Sequence, residues 1–364
     1  MPAFLASLFA LACLATQATA LRTTLEGTLA QGRAVAKPAT NLKVDWTPEM
    51  CAVERGAFHE QPPDPPARLL QLTSALHASS APRRLERTGR NYSFVRTCKT
   101  SRDKLRALGP LLLPERKLAF CYVAKTACTQ FKDLFNFLNN FSNKTLGYGH
   151  NYLASMPRAM HISPQNITKE NGWKFAVFTR DPLLRYLSAF GSSCVSNGRH
   201  FEHKFECCGK TVSNRVSQEK MVKHFEERVR YDSTHGLVKE DDHWVEQTEF
   251  LRNCGWEKFR PENLDFRGHL SGDVNGQVKE MLRLVNYAND TVVDRFFPHD
   301  RIAGHRNPMK ISAAEDFYKD PEILKAAMKL FEDDYERLPG VGCSFTEWML
   351  KRTGLKQDEH LKQR

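Results

Sequence analysis

The chain has 364 residues, 41% hydrophobic and 26% charged, enough apolar material for one large or two smaller buried cores and too much for global disorder. A mean hydropathy of -0.51, with no interior apolar run near about 18 residues, excludes a polytopic membrane protein. The formal net charge of +11 points to an anionic ligand or surface. Residues 22–116 hold 16 Lys and Arg against 9 Asp and Glu, whereas residues 117–364 hold 37 against 33. The basic excess therefore sits mainly in the N-terminal third, which argues against a nucleic-acid partner.

Residues 1–20 carry no charged side chain, and an apolar core runs from Ala3 to Ala15. Ala18-Thr19-Ala20 has the small-x-small form that signal peptidase accepts. A basic n-region is missing, so the segment reads either as a cleaved signal or as a short signal anchor attaching the chain to a membrane. Ten cysteines and the Asn-x-Ser/Thr sequons at Asn91, Asn140, Asn143, Asn166 and Asn289 agree with a lumenal location. No Cys-x-x-Cys pair occurs, so the cysteine spacing does not read as a zinc site. Cys194, Cys207, Cys208, Cys254 and Cys343 are disulfide candidates of open connectivity.

Residues 21–116 read as a stem. Pro62-Pro63-Asp64-Pro65-Pro66 suits a stiff extended spacer, and nine basic residues face two acidic ones between Arg83 and Arg106. A folded domain is expected over 117–345, followed by a polar tail over 346–364. In that domain Leu118 to Val123 forms a strand-length apolar run. The loop Ala124 to Thr129 follows, then the helical stripe Phe131, Leu134, Phe135, Leu138. Phe175 to Phe178 reads as a second buried strand, and Arg180-Asp181-Pro182 ends it and opens a helix. Val278, Met281, Leu282 and Val285 mark another helix, and Ile323, Ala327, Leu330 and Phe331 a late one. Strands alternating with helices predict an α/β fold: a P-loop-like three-layer sandwich with a central, mainly parallel sheet.

A strand–loop–helix carrying Lys125 and Thr129 is either an ordinary turn or an anion site, because amides at a new helix N-terminus point into the loop. Gly-x-x-x-x-Gly-Lys-Ser/Thr is absent, which counts against a nucleoside triphosphatase. Arg180 at a strand end offers a planar fork for a phosphate, with Ser188 about two helical turns on and Arg185 between them.

Ala124 to Lys132 resembles the 5′-phosphosulfate loop of Golgi carbohydrate sulfotransferases, and Thr179 to Phe190 resembles their 3′-phosphate element. His243-Trp244-Val245-Glu246-Gln247, leading to Cys254, is similar to a segment of the chondroitin and dermatan 4-O-sulfotransferase branch. Leu264 to Leu270, His305-Arg306-Asn307 and Ala327 to Tyr335 resemble later blocks of that branch. Lys125 to Thr129 also resembles the loop of uronyl 2-O-sulfotransferases. Ala124 stands where the family usually has Pro, and one Cys follows His243-Trp244 where relatives often have two.

The resemblance implies 3′-phosphoadenosine 5′-phosphosulfate as donor, no metal, and an acidic or neutral glycan as acceptor, with a glycosaminoglycan leading. It implies a Golgi or wider secretory location. Lys125 would bind the 5′-phosphate and offset leaving-group charge, in a loop of Thr126, Ala127, Cys128 and Thr129. Arg180 and Ser188 would clasp the 3′-phosphate, and Arg306 would close over the nucleotide. The general base is left among His243, His150 and a carboxylate such as Glu246. Asp181 is expected to cap the Arg180 turn, Cys128 to pack without reacting, and Trp244 to be either core or a sugar platform. An inactive sulfated-glycan-binding protein and a secretory-pathway kinase are the alternatives.

Overall fold

The computed structural model describes residues 109–141, 160–196, 207, 211–237, 242–299 and 311–355. Residues 1–108, which hold the N-terminal segment and most of the stem, lie outside them, as do His150 and Arg306.

Six strands are present among these residues: β1 (Leu111–Leu113), β2 (Leu118–Cys121), β3 (Lys174–Thr179), β4 (Val195–Ser196), β5 (Val212–Ser213) and β6 (Phe266–His269). The helices are α1 (Cys128–Leu138), α2 (Pro182–Ser193), α3 (Gln218–His235), α4 (Gln247–Phe259) and α5 (Val274–Arg283). They continue with α6 (Asp290–Phe296), α7 (Pro321–Leu330), α8 (Glu332–Arg337) and α9 (Phe345–Thr353). The main sheet has the order β1-β2-β3-β6. β2, β3 and β6 are parallel, and β1 is an antiparallel edge.

Alternation along the strands places helices on both faces. Phe120 packs its ring on Phe131 and Phe135 of α1, at centroid distances of 4.5 and 5.6 Å. Its neighbour Cys121 points to the opposite face, where it is disulfide-bonded to Cys254 of α4. Phe178 shares the Phe120 face, and Phe175 meets Phe259 of α4 on the other. The three layers expected from the sequence are therefore present, and the continuous apolar runs of β2 and β3 reflect burial on both sides.

Gly268 of β6 pairs in register with Phe178, and a Cβ at that position would stand 2.5 Å from the Phe178 ring. Phe178 is fully buried among Phe120, Phe131 and Phe266 and has no room to turn aside. Gly268→Ala should cost about 1–3 kcal/mol of stability by overpacking. A lowered thermal midpoint with an intact far-UV spectrum would be the reading, and an unchanged midpoint would refute this packing account.

The folded unit extends beyond 117–345 at both ends. β1 starts at Leu111, inside the span assigned to the stem, and its three leucines are buried. Residues 345–353, mostly assigned to a polar tail, form α9, with Phe345, Thr346, Met349 and Leu350 buried. Its apolar positions, Phe345, Trp348, Met349 and Leu350, are followed by Lys351, Arg352 and a mostly polar end to the chain, which hides the helix in the sequence. A second disulfide, Cys194–Cys207, closes the segment between β4 and β5, and Cys343 is disulfide-bonded as well.

Candidate active site

The carboxyl ends of β2, β3 and β6 lie at one edge of the sheet, the usual location of a ligand crevice in open α/β sheets. The chain leaves β2 through the buried residues Tyr122, Val123 and Ala124, then turns sharply. The Thr126 amide donates to the Val123 carbonyl at 3.2 Å, and the Thr126 hydroxyl donates to the same oxygen. Lys125 and Ala127 adopt φ of 68° and 54°, a region that non-glycine residues enter only when the surroundings hold them. Ala127 is the N-cap of α1 and has no side chain to offer its amides, and the first turn carries no acidic residue. By contrast α2, α3, α5 and α7 are capped by Asp181, Ser217, Asp273 and Asp320. The first-turn amides of Cys128, Thr129 and Gln130 are thereby left for an anion.

Two arginines hold this loop, Arg180 from the β3–α2 turn and Arg185 from the first turns of α2. Arg180, half-buried, donates from Nη1 to the Lys125 carbonyl at 3.1 Å. Burial lowers its pKa to about 10, against the pull of Asp181 and with some repulsion from Arg185, so it stays charged at neutral pH. Its backbone is gripped by Gln247 of α4. Gln247 Oε1 accepts from the Arg180 amide at 2.9 Å, and Nε2 donates to the Arg180 carbonyl at 2.8 Å. Arg185, fully buried on α2, donates from Nε to the Ala124 carbonyl at 2.9 Å and from Nη2 to the Asp242 carbonyl at 3.3 Å. Its Nη1 has no partner among the described residues.

Asp181 does cap α2, accepting from the Leu183 and Leu184 amides. Its carboxylate also accepts from the Thr346 amide at 2.8 Å and from the Thr346 hydroxyl, joining α9 to the turn. Asp334 of α8 accepts from Gln247 Nε2 and, at 2.9 Å, from the Thr248 amide. Burial raises the Asp334 pKa, and Arg185 counteracts that rise. Ser188 stands half-buried on α2, one turn beyond Arg185. Cys128 is half-buried and is the free thiol among the described cysteines. Lys132, which the sequence reading quoted without a role, is buried with Nζ 4.3 Å from the centre of the Tyr122 ring.

His243 lies in the turn just before α4, half-buried, with Nδ1 3.4 Å from a carboxylate oxygen of Asp242. Because Arg185 bonds both Ala124 and Asp242, this turn is tied to the Lys125 loop through one guanidinium. Trp244 next to it is fully buried, with the Arg228 guanidinium 4.0 Å from its ring centre. Arg228 and Tyr186 both donate to Asp232 at 2.7 Å, so α2, α3 and the His243 turn share one buried polar knot. Of the two readings left open for Trp244, the core residue holds. The sugar platform fails, because no face of the indole reaches solvent.

Lys125, Arg180 and the His243 turn are thus gathered at one edge, while His150 and Arg306 fall outside the described residues. Sequence reasoning gave no role to Arg185, Gln247 or Asp334, although all three lay in quoted segments. Gln247 lay in a quoted block, but its bond to a strand end 67 residues away has no sequence signal. A protein-family model described as the sulfotransferase family matches residues 111–339. No match is found among curated proteins or among solved structures.

Proposed function

The chain belongs to the sulfotransferase family, and we propose that it moves a sulfuryl group from 3′-phosphoadenosine 5′-phosphosulfate to a glycan hydroxyl in the secretory pathway. The observation that carries this reading is the pair of bonds from Arg180 and Arg185 to the Lys125 loop, beside an uncapped helix N-terminus. That arrangement concentrates cationic and amide donors with no carboxylate in the first turn of α1, which suits a doubly phosphorylated nucleotide. When bound, the donor supplies an activated sulfuryl group whose leaving phosphate gains charge.

Lys125 offsets that charge, and the amides of Ala127, Cys128 and Thr129, with the Thr129 hydroxyl, hold the 5′-phosphate. Thr126 keeps the loop in its turn through the Val123 carbonyl. Arg180 and Ser188 hold the 3′-phosphate, the group that separates this donor from ATP. His243 is the general base: Asp242 beside Nδ1 favours the proton there and leaves Nε2 to accept one from the acceptor hydroxyl. An acidic glycosaminoglycan is the favoured acceptor, in keeping with the net charge of +11. The disulfides Cys121–Cys254 and Cys194–Cys207 support an oxidising compartment, the Golgi lumen in this reading.

The test is thermal unfolding with 3′-phosphoadenosine 5′-phosphate, using ATP as control. At 100 times its dissociation constant the ligand should stabilise the protein by about 2.7 kcal/mol, and ATP should not. No shift in folded protein at saturating nucleotide would remove the basis of the assignment.

A further inference from the structure

Two sequons lie wholly within the described residues, Asn166-Ile167-Thr168 and Asn289-Asp290-Thr291, and both asparagines are exposed. Their positions in the fold are related. Asn166 ends a 3-10 turn, and its carbonyl accepts from Asn171 Nδ2 at 3.0 Å. The Asn171 carbonyl in turn accepts from Lys117 Nζ at 2.8 Å. Lys117 immediately precedes β2, and Trp173 immediately precedes β3. Both line, with Asn166, Glu170, Asn171 and Gly172, an open groove of about 700 Å³. Asn289 follows Tyr287, whose ring is approached by the Arg116 guanidinium. Arg116 also donates to the Asn286 carbonyl at 3.2 Å, and it too lies just ahead of β2. Both asparagines therefore stand at the amino ends of the parallel strands. The Lys125 loop and Arg180 stand at the carboxyl ends, and β3 alone, six residues long, puts roughly 16 Å between the two poles.

We infer that Asn166 and Asn289 carry N-linked oligosaccharides, both at the pole opposite the donor loop. The inference rests on the secretory location proposed above. Both side chains are exposed among the described residues: Asn166 lines the groove, and Asn289 is the N-cap residue of α6 with no side-chain cap bond. At Asn289 the Thr291 hydroxyl donates to Oδ1 at 2.7 Å, and the side chain is exposed. The modification joins Asn Nδ2 to the anomeric carbon of a lipid-pyrophosphate-linked oligosaccharide. The bond from that carbon to the pyrophosphate breaks, one amide proton is lost, and no redox partner is needed. Glycans at this pole shield the sheet bottom while leaving the crevice open to a polymeric acceptor.

The full chain is expressed in a eukaryotic secretory host and treated with peptide N-glycosidase in ¹⁸O-water, and peptides are read by mass spectrometry. Both asparagines are expected to become ¹⁸O-labelled aspartate. N166Q and N289Q should each lose one glycan and keep the same affinity for 3′-phosphoadenosine 5′-phosphate. An unlabelled asparagine at either position overturns the inference for that site, whether or not the chain is secreted. Weakened nucleotide binding in either folded variant overturns the placement away from the crevice. A protein that carries both glycans yet ignores the nucleotide would refute the sulfotransferase reading and leave this one standing.

Discussion

Lys125→Ala is expected to lower kcat for sulfate transfer by about 10²–10³-fold, the usual loss when one donor aimed at developing charge is removed. The loop should survive the change. Its shape is held by the Lys125 and Ala124 carbonyls accepting from Arg180 and Arg185, and by Thr126 on Val123, none of which needs the lysine side chain. Both lysine and alanine carry a Cβ, so the left-handed backbone at position 125 costs each about the same. The deficit should therefore fall on kcat more than on the Michaelis constant for the acceptor. Lys125→Arg keeps the charge but moves it, and should recover only part of the rate. Steady-state transfer of labelled sulfate to a chondroitin-type acceptor reads the effect. A folded Lys125→Ala protein with wild-type kcat would remove Lys125 from the chemistry.

Arg185→Met should be the most damaging single change to the site's frame. The guanidinium donates to Ala124 and Asp242 and is the cation facing the buried carboxylate of Asp334. Its loss leaves two carbonyls without that donor and one buried carboxylate without its counter-charge, a cost of about 3–5 kcal/mol. The pH dependence has a defined sign. Burial already raises the Asp334 pKa, and removing Arg185 raises it further. A carboxyl with a raised folded pKa contributes its full stability below the unfolded value and loses it as pH rises through the folded value. The gap in thermal midpoint between variant and wild type should then widen as pH rises above the ordinary carboxylate range. A gap independent of pH would mean that Asp334 does not depend on Arg185. Arg185→Lys should be intermediate in stability, yet low in kcat, because one ammonium cannot span both carbonyls in the fork geometry.

These effects turn on residues of unequal visibility in the sequence. Lys125, Thr129, Arg180 and Asp181 were legible because each sits at a strand-to-helix junction. At the first of these junctions the apolar run, the loop and the helical stripe follow one another from Leu118 to Leu138. Helix α3 was not assigned. Its buried face is Met221, Phe225, Arg228, Val229 and Asp232, and the two charged members break the apolar stripe that marks a helix. Their burial is tolerated because they pair with each other and Asp232 also accepts from Tyr186. The edge strand β1 was overlooked for a similar reason. Three leucines before a proline are too short a run to separate from a linker.

By itself, the sequence determined the alternation of strands and helices, the parallel character of the sheet, the phosphate-loop candidates and the capping role of Asp181. Those properties are local, since periodicity and capping act over a few residues and leave a mark in the order of the chain. Only the tertiary structure decided which disulfides form, that Trp244 is core, and that Arg185 joins Ala124 to Asp242 over separations of 61 and 57 residues. Such contacts depend on where the sheet brings distant segments together, and a buried polar group is satisfied by whatever the fold places beside it rather than by its neighbours in sequence.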